Sequence, residues 1–227
     1  MTVEMSHDSD LYEIRRRKMV ERQILPRGVR EPLLLEAMRE IPREIFIDEA
    51  LRGQAYADNA LPIGYGQTIS QPYIVARMTE LLAPSRSDAI LEVGTGTGYQ
   101  TAILARLAGR IFSVERIAEL AEKAQANLKW LGFDNVEIRI TDGSVGWPER
   151  GPFDRVLVAA GAPSVPPSLI AQLKVGGRLV LPVGDQRSQV LTVVDRTEEG
   201  YREERDQACT FVRLIGEEGW AEEPLPL

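Results

Sequence analysis

A glycine-rich turn follows an apolar run in the first half of the chain. Gly94, Gly96 and Gly98 are spaced G-x-G-x-G, with Thr95 between the first two, directly after Ala89–Val93. Glycine lets the backbone turn sharply and approach a ligand, and a following helix N-terminus offers unpaired N–H groups. The pattern therefore predicts a strand, a turn and a helix that bind a nucleotide-like cofactor.

The acidic residue before this turn helps to identify the cofactor. Glu92 precedes Gly94, and the spacing differs from the G-x-G-x-x-G that is typical of pyrophosphate-binding turns. S-adenosylmethionine carries a sulfonium and an ammonium group instead of phosphates, so a nearby carboxylate suits it. The turn favours S-adenosylmethionine over NAD, and Glu92 is a predicted contact, directly or through water.

Two further carboxylates follow the next two predicted strands. Glu115 lies about 20 residues beyond the turn, a spacing from which a carboxylate can bind both ribose hydroxyls. Asp142 precedes Gly143 after the third strand, and its carboxylate could accept a hydrogen bond from the adenine amino group, although Asp-Gly is also a common turn. Because parallel strands end at one edge of a sheet, we expect these residues to lie together.

Composition excludes several other functions. Cys209 is the single cysteine and His7 the single histidine, which rules out an intramolecular disulfide and argues against a thiolate zinc site or a Ser-His-Asp hydrolase. We predict no metal. A net charge of -7 and a pI near 5.0 give no reason to expect nucleic acid or anionic membranes as partners.

The pattern along the chain predicts a single α/β domain. No leader and no apolar run of about 18 residues is apparent, so a cytoplasmic protein is expected. We predict a disordered tail over 1–10, then an N-terminal helical cover over 11–71 that ends in a loop over 57–71, and a Rossmann-like core over 72–227. The helices of the cover are placed at 11–24, 31–40 and 48–56.

From residue 88 onward, short β-rich runs alternate with helical segments, which predicts a mostly parallel, doubly wound sheet. The last two strands, 189–194 and one near 208–214, are separated by the polar run DRTEEGYREERDQ. That run is too polar for a crossover helix, so a C-terminal antiparallel hairpin is expected.

Nearly the whole chain, from about 17 to 220, resembles the protein-L-isoaspartate O-methyltransferase family. The resemblance is carried by ALPIGYGQTISQPYIVARM at 60–78, LEVGTGTGYQTAILA at 91–105, SVER at 113–116, DGSVGWPERGPFD at 142–154 and LKVGGRLVLPVG at 173–184. The first segment is the most discriminating, because many methyltransferases share only the second.

The resemblance implies a repair enzyme that transfers a methyl group from S-adenosylmethionine to the free α-carboxylate of L-isoaspartyl residues in damaged proteins, and that is a monomer. It implies that Thr68, Ile69 and Ser70 lie over the cofactor, with Ser70 catalytic or substrate-orienting. Pro62 and Ile63 would contact the substrate together with Ser70. Glu115 and the Asp142-Gly143 pair match the family's cofactor contacts.

This reaction makes sense of the missing histidine. An isoaspartyl α-carboxyl has a pKa of roughly 3–4 and is ionised at neutral pH, so it needs no general base. Alignment of oxygen, methyl carbon and sulfur remains, a task that can supply up to roughly 7–11 kcal/mol in ideal models. Ser70 would orient the carboxylate; alternatively, or in addition, it would cap the helix at Pro72.

Three alternatives stay open from the residues alone. A methyltransferase with another acceptor would keep the glycine turn but would not need the T-I-S segment. An NAD-dependent oxidoreductase would require a catalytic dyad, and no Y-x-x-x-K occurs. A module that binds the cofactor without turnover is the third, because Arg213 stands where the resembled family usually has proline, which puts the local substrate pocket in doubt.

Overall fold

A computed structural model describes residues 4–222, with side chains from residue 10 onward. Seven strands form the main sheet, in the order β5-β4-β3-β6-β7-β8-β9. Their bounds are β3 Ala89–Val93, β4 Arg110–Glu115, β5 Val136–Ile140, β6 Phe153–Val158, β7 Leu173–Gly184, β8 Gln189–Thr197 and β9 Gly200–Cys209. β3 to β7 are parallel and β8 and β9 are antiparallel, which confirms the predicted fold class.

Helices cover both faces of this sheet. Their bounds are α1 Glu4–Met19, α2 Pro32–Glu40, α3 Pro72–Leu82, α4 Tyr99–Leu107, α5 Ala118–Trp130 and α6 Pro167–Ala171. Short turns of 3-10 helix occupy Arg43–Phe46 and Glu49–Gln54. The chain passes from β3 outward to β5 and then returns to add β6 on the other side of β3, so the order of the strands reverses between β3 and β6. Open α/β sheets bind ligands at such a point.

The core follows from the period-two alternation of β3. Ile90 belongs to a buried cluster with Leu82 and Leu104 of the helices on one face. Leu91 and Val93 belong to the cluster on the opposite face. Full burial of each such side chain contributes about 1.5–3 kcal/mol. Continuous apolar composition in the central strands is therefore explained by helices on both faces.

The N-terminal helical cover differs from its prediction in bounds. α1 begins at Glu4 instead of residue 11, and a π-helical turn over Val20–Ile24 ends the expected 11–24 segment. The first three residues of the predicted tail lie outside the described residues. α2 agrees with the predicted 31–40 helix within one residue, because Pro32 suits the first helical turn and has no N–H to leave unpaired.

The predicted 57–71 loop was wrong in part, because it contains a two-stranded hairpin of β1 Leu61–Gly64 and β2 Gln67–Ile69. Tyr65 and Gly66 at its tip have φ of 53° and 68°, as a tight hairpin turn with two left-handed residues requires. A proline inside a four-residue strand masked the alternation in the sequence.

The final strand was also misplaced. β9 is the polar run itself, over Gly200–Cys209, and most of its side chains are exposed. A strand at the edge of a sheet has one neighbour, and charged side chains there prevent pairing with other chains. Hydrophobic patterning therefore pointed to 208–214, a segment that instead crosses the carboxyl edge of the sheet.

Candidate active site

An open cleft lies at the carboxyl edge of the sheet, where the strand order reverses. Residues that follow β3, β4, β5 and β6 form its floor, and the β1–β2 hairpin and a C-terminal segment form its walls. The predicted site residues among its lining are Ile63, Thr68, Ile69, Ser70, Gly94, Thr95, Gly96, Glu115 and Gly143. The structure thus brings together residues that lie up to 80 positions apart.

The glycine turn is fixed by backbone geometry that other residues adopt poorly. Gly94 has φ of 93°, and its N–H donates to the Val114 carbonyl at 2.9 Å. Gly98 has φ of 98°, and a Cβ there would lie 3.3 Å from the Ala124 Cβ. Gly98 does not line the cleft; it allows α4 to pack closely on α5, while Gly94, Thr95 and Gly96 face the ligand space.

Glu115 is the last residue of β4 and forms part of the floor of the cleft. Its Oε2 accepts from the Gly96 N–H at 2.9 Å and its Oε1 from the Ile117 N–H at 3.0 Å. A carboxylate has about four lone-pair sites, so two remain for a diol. The carboxylate thus orders the glycine turn and still faces the cleft.

Glu92 lies beneath the turn and does not line the cleft. It is fully buried, and its Oε2 accepts from the hydroxyls of Thr101 and Ser113, both at 2.6 Å. Its Oε1 has no hydrogen-bond partner in the part of the chain that the structure describes. Burial raises the pKa of Glu92 to about 7 against the pull of those hydroxyls, and the charge on Glu115 adds to the rise.

We expect Glu92→Gln to reduce the pH dependence of stability of the cofactor-free protein. The raised pKa means that the folded state binds more protons than the unfolded state between about pH 4.5 and 7, so wild-type stability falls as pH rises through that window. Between pH 5 and pH 8, the free energy of unfolding should fall by about 1–3 kcal/mol less in the glutamine variant than in wild type. Urea unfolding at the two pH values measures this difference. Exposed Glu119→Gln is the control, and an unchanged pH dependence in Glu92→Gln would contradict the assignment.

Asp142 and Gly143 lie in different surroundings: Gly143 lines the cleft, and Asp142 does not. A Cβ on Gly143 would lie 2.5 Å from the Val93 Cγ1, so only glycine fits on the cleft floor there. The Asp142 carboxylate does not line the cleft; it accepts from the backbone N–H of Ser144 and of Glu217, both at 2.8 Å. Its role toward adenine stays a prediction, whereas its contact with the C-terminal segment is directly visible.

The β1–β2 hairpin forms the wall that carries Ser70. Ser70 follows β2, is half-buried and lines the cleft, whereas Pro62 is exposed and lies outside it. Gln71 occupies the N-cap position of α3 without a side-chain capping bond, and its Nε2 donates to Asp58 Oδ1 at 2.8 Å. Helix capping therefore falls to Gln71 by position, and Ser70 is placed toward the cleft.

The opposite wall is a segment that the hydrophobic pattern assigned to a strand. Val212, Arg213, Leu214 and Ile215 line the cleft. The segment is held to the end of β6 because the Gly161 N–H donates to the Val212 carbonyl and the Leu214 N–H donates to the Gly161 carbonyl, both at 2.8 Å.

The N-terminal cover packs against the glycine turn and the start of α4, a contact that the sequence did not indicate. The Thr97 hydroxyl donates to the Phe46 carbonyl at 2.8 Å, and the Phe46 ring meets Tyr99 edge-on at 5.5 Å between centroids. The Arg43 guanidinium is fully buried over the Tyr99 ring at 4.9 Å and donates to the Ala55 carbonyl at 2.8 Å. Burial lowers the pKa of Arg43 to about 10.

Thr97→Val tests the hydrogen bond from the Thr97 hydroxyl to the Phe46 carbonyl. Valine keeps the shape but leaves the buried Phe46 carbonyl without its donor, which should cost about 1–3 kcal/mol. For a chain of this size, each kcal/mol of lost stability lowers Tm by roughly 2–4 °C. Calorimetry measures the decrease. Thr97→Ser keeps the hydroxyl and should stay nearer to wild type; equal losses in both variants would show that the hydrogen bond is not the cause.

Comparison with known proteins identifies the family. The model of the family "Protein-L-isoaspartate(D-aspartate) O-methyltransferase (PCMT)" matches residues 14–219. The chain belongs to this family. A protein-L-isoaspartate O-methyltransferase of Geobacter metallireducens is 54% identical over 213 residues, covering 93% of this chain and 99% of that protein. Its counterpart in Syntrophus aciditrophicus is 55% identical over 215 residues, with the same coverage.

Solved structures agree with the family assignment. A protein-L-isoaspartate O-methyltransferase superposes with a TM-score of 0.80 at 28% identity, covering 89% of this chain and 67% of the other. A Plasmodium falciparum protein described as belonging to the same family, solved with S-adenosyl-L-homocysteine, gives a TM-score of 0.75 at 25% identity and covers 88% of this chain and 98% of the other. The resemblance seen in the sequence is therefore confirmed.

Across residues 4–222, no helix is both long and apolar enough to cross a membrane. Among the side chains of residues 10–222, no group of three or more histidine, cysteine, aspartate or glutamate residues is placed to hold a metal ion.

Proposed function

We propose that this family member transfers the methyl group of S-adenosylmethionine to the free α-carboxylate of L-isoaspartyl residues in damaged proteins and peptides, giving the methyl ester and S-adenosylhomocysteine. The observation that carries the proposal is the single cleft that holds the glycine turn, Glu115 and Ser70 together. Relatives at 54% and 55% identity over nearly their whole length bear the name of this activity.

The residues on the floor fit the cofactor. Glu115 offers its remaining lone pairs to the ribose hydroxyls, and the turn at Gly94 and Gly96 lets the methionyl part approach the backbone. The carboxyl of Glu92 is buried beneath this turn, and the positive charges of a bound cofactor would favour its ionised form. When bound, S-adenosylmethionine supplies the electrophilic methyl group.

The walls fit the acceptor. An isoaspartyl carboxylate is already ionised at neutral pH, so the protein needs to orient it and to exclude water rather than to remove a proton. Ser70 would donate a hydrogen bond to one carboxylate oxygen and leave the other directed at the methyl carbon. Ile63, Thr68 and Ile69 line the same cleft, so the hairpin would lie over the cofactor and the buried Ile63 would add an apolar wall. The exposed Pro62 would meet the peptide outside the cleft.

We also propose that the protein works as a cytoplasmic monomer with isoaspartyl proteins as its partners. The net charge of -7 disfavours nucleic acid and anionic membranes, and the half-buried thiol of Cys209 is free. Sedimentation of the purified protein at micromolar concentration tests the oligomeric state, and a dimer would contradict it.

A matched pair of peptides tests the activity. The protein is incubated with methyl-labelled S-adenosylmethionine and with a peptide that contains either isoaspartate or normal aspartate at the same position. Selective, base-labile labelling of the isoaspartyl peptide is the expected result. Cofactor binding without labelling of either peptide would refute the acceptor, and absence of cofactor binding would refute the cofactor site as well.

A further inference from the structure

A second pocket lies beside the active-site cleft, and the proposed function assigns no role to it. Three parts of the fold form its walls: residues 45–48 of the N-terminal cover, Ile63 and Thr97 beside the cleft, and Lys123, Ala126 and Asn127 of α5. Ile63 and Thr97 also line the active-site cleft. This side pocket therefore adjoins the cleft across the two residues that they share.

Hydrogen bonds join the walls of the side pocket before any substrate binds. The Thr97 hydroxyl donates to the Phe46 carbonyl at 2.8 Å, and Asn127 Nδ2 donates to the Thr97 carbonyl at 3.0 Å. Ile63 lies against the glycine turn, where its Cδ1 would be 3.3 Å from a Cβ on Gly96. The cover, the turn and α5 are thus held in place relative to one another. A preformed pocket binds a ligand group with a smaller loss of conformational freedom.

The lining of the side pocket suits an apolar group. Five of its nine residues are apolar, and three of these are the consecutive residues 45–47. Its two charged residues, Asp48 and Lys123, have opposite signs and are both exposed, so the lining has no net charge. Ala126 lies three residues beyond Lys123 on the same face of α5 and contributes only a methyl group. A neutral and mostly apolar lining favours an apolar side chain over a charged one.

A peptide substrate has residues on both sides of the isoaspartyl residue. When the isoaspartyl carboxylate lies in the cleft, these neighbours must lie on the surfaces around it, and the side pocket is one of them. Methyl transfer does not alter a neighbouring side chain, so its contacts are equally strong in the ground state and in the transition state. Contacts of this kind lower KM and leave kcat unchanged.

We infer that the side pocket is a substrate subsite that binds a large apolar side chain close to the isoaspartyl residue in the sequence of the substrate. The inference rests on the proposed function and deepens it. Because part of the lining is exposed, a bound side chain would be buried incompletely. The preference for phenylalanine over alanine is therefore expected to be about five- to twentyfold in kcat/KM, and to lie in the KM for the peptide.

The test compares isoaspartyl peptides that carry phenylalanine, alanine or glutamate at one position, scanned over two residues on each side of the isoaspartate. Wild type should prefer phenylalanine at one or more positions, and the preference should persist at about 0.5 M salt, which screens charges but not apolar contacts. Ala126→Phe fills the pocket from an exposed position and should reduce the preference to less than about twofold. Gln125→Phe puts the same side chain on the adjacent exposed position, outside the pocket, and should keep the preference.

Each preference is a ratio of two peptides measured on one preparation, so a general loss of activity cancels. Equal kcat/KM for phenylalanine and alanine at every position in wild type would overturn the inference while the methyltransferase activity stands. A preference for glutamate, a preference that survives Ala126→Phe, or an equal loss in Gln125→Phe would do the same. If wild type labels no isoaspartyl peptide, the proposed function fails, and the inference fails with it. Ala126→Leu, which fills less of the pocket, should reduce the preference in the same direction and serves where Ala126→Phe does not fold.

Discussion

Glu115→Gln is expected to weaken the binding of S-adenosylhomocysteine by about 10- to 100-fold, the equivalent of roughly 1.5–3 kcal/mol for hydrogen bonds to a charged acceptor. The carboxylate lies at the end of β4 and faces the cleft while it accepts from Gly96 and Ile117. Glutamine keeps one carbonyl oxygen for the turn but offers an N–H₂ group where a ribose hydroxyl needs an acceptor. Isothermal titration calorimetry measures the change.

A matched control lies on the next helix. Glu119 is exposed in the first turn of α5 and makes the same change in net charge when it is replaced by glutamine. Glu119→Gln should bind the cofactor product as wild type does. If Glu115→Gln bound S-adenosylhomocysteine with wild-type affinity, Glu115 would not be a cofactor contact. Its role would then be limited to its hydrogen bonds with the backbone.

Ser70→Ala is expected to lower kcat by roughly 100-fold, because a misplacement of about 1 Å at the reacting atoms costs that much. The loss should appear in kcat with the isoaspartyl peptide, while the affinity for S-adenosylhomocysteine changes by less than about threefold. A helix-capping role would predict the reverse pattern, with a loss of Tm and little change in kcat. Initial rates and thermal unfolding of one preparation distinguish the two.

Gln71→Ala is the control for local disruption next to Ser70. It removes the hydrogen bond to Asp58 at 2.8 Å, so it should lower Tm and leave most of the turnover per folded molecule. If Ser70→Ala kept wild-type kcat, the hairpin would serve only as a cover, and the acceptor would have to be oriented by the C-terminal wall.

The floor of the site was predictable because its signals are local. Glycines at 94, 96 and 98, Glu115 at the end of β4 and Gly143 after β5 report on single turns, and the parallel sheet brings strand ends to one edge. Local spacing does not tell which way a side chain points, however. Glu92 and Gly98 therefore proved to lie beneath or behind the turn rather than in the cleft, although their types and positions matched the motif.

The walls were less predictable because they depend on contacts between distant segments. The hairpin at 61–69 consists of two short strands, one of which contains a proline. Its sequence therefore lacks a sustained alternation of apolar and polar residues. β9 is polar because it is an edge strand, so the apolar run at 208–214 attracted the strand prediction. The contact of Arg43 and Phe46 with the glycine turn joins residues that are more than 50 positions apart, and nothing in either motif requires the other.

We propose that cofactor and acceptor meet in the cleft between the glycine turn and the hairpin. The most direct test is a crystal structure with S-adenosylhomocysteine and an isoaspartyl peptide. We expect the ribose hydroxyls within hydrogen-bonding distance of Glu115 and the isoaspartyl carboxylate beside Ser70, facing the sulfur. A cofactor bound elsewhere, or a carboxylate turned away from both Ser70 and the sulfur, would contradict it.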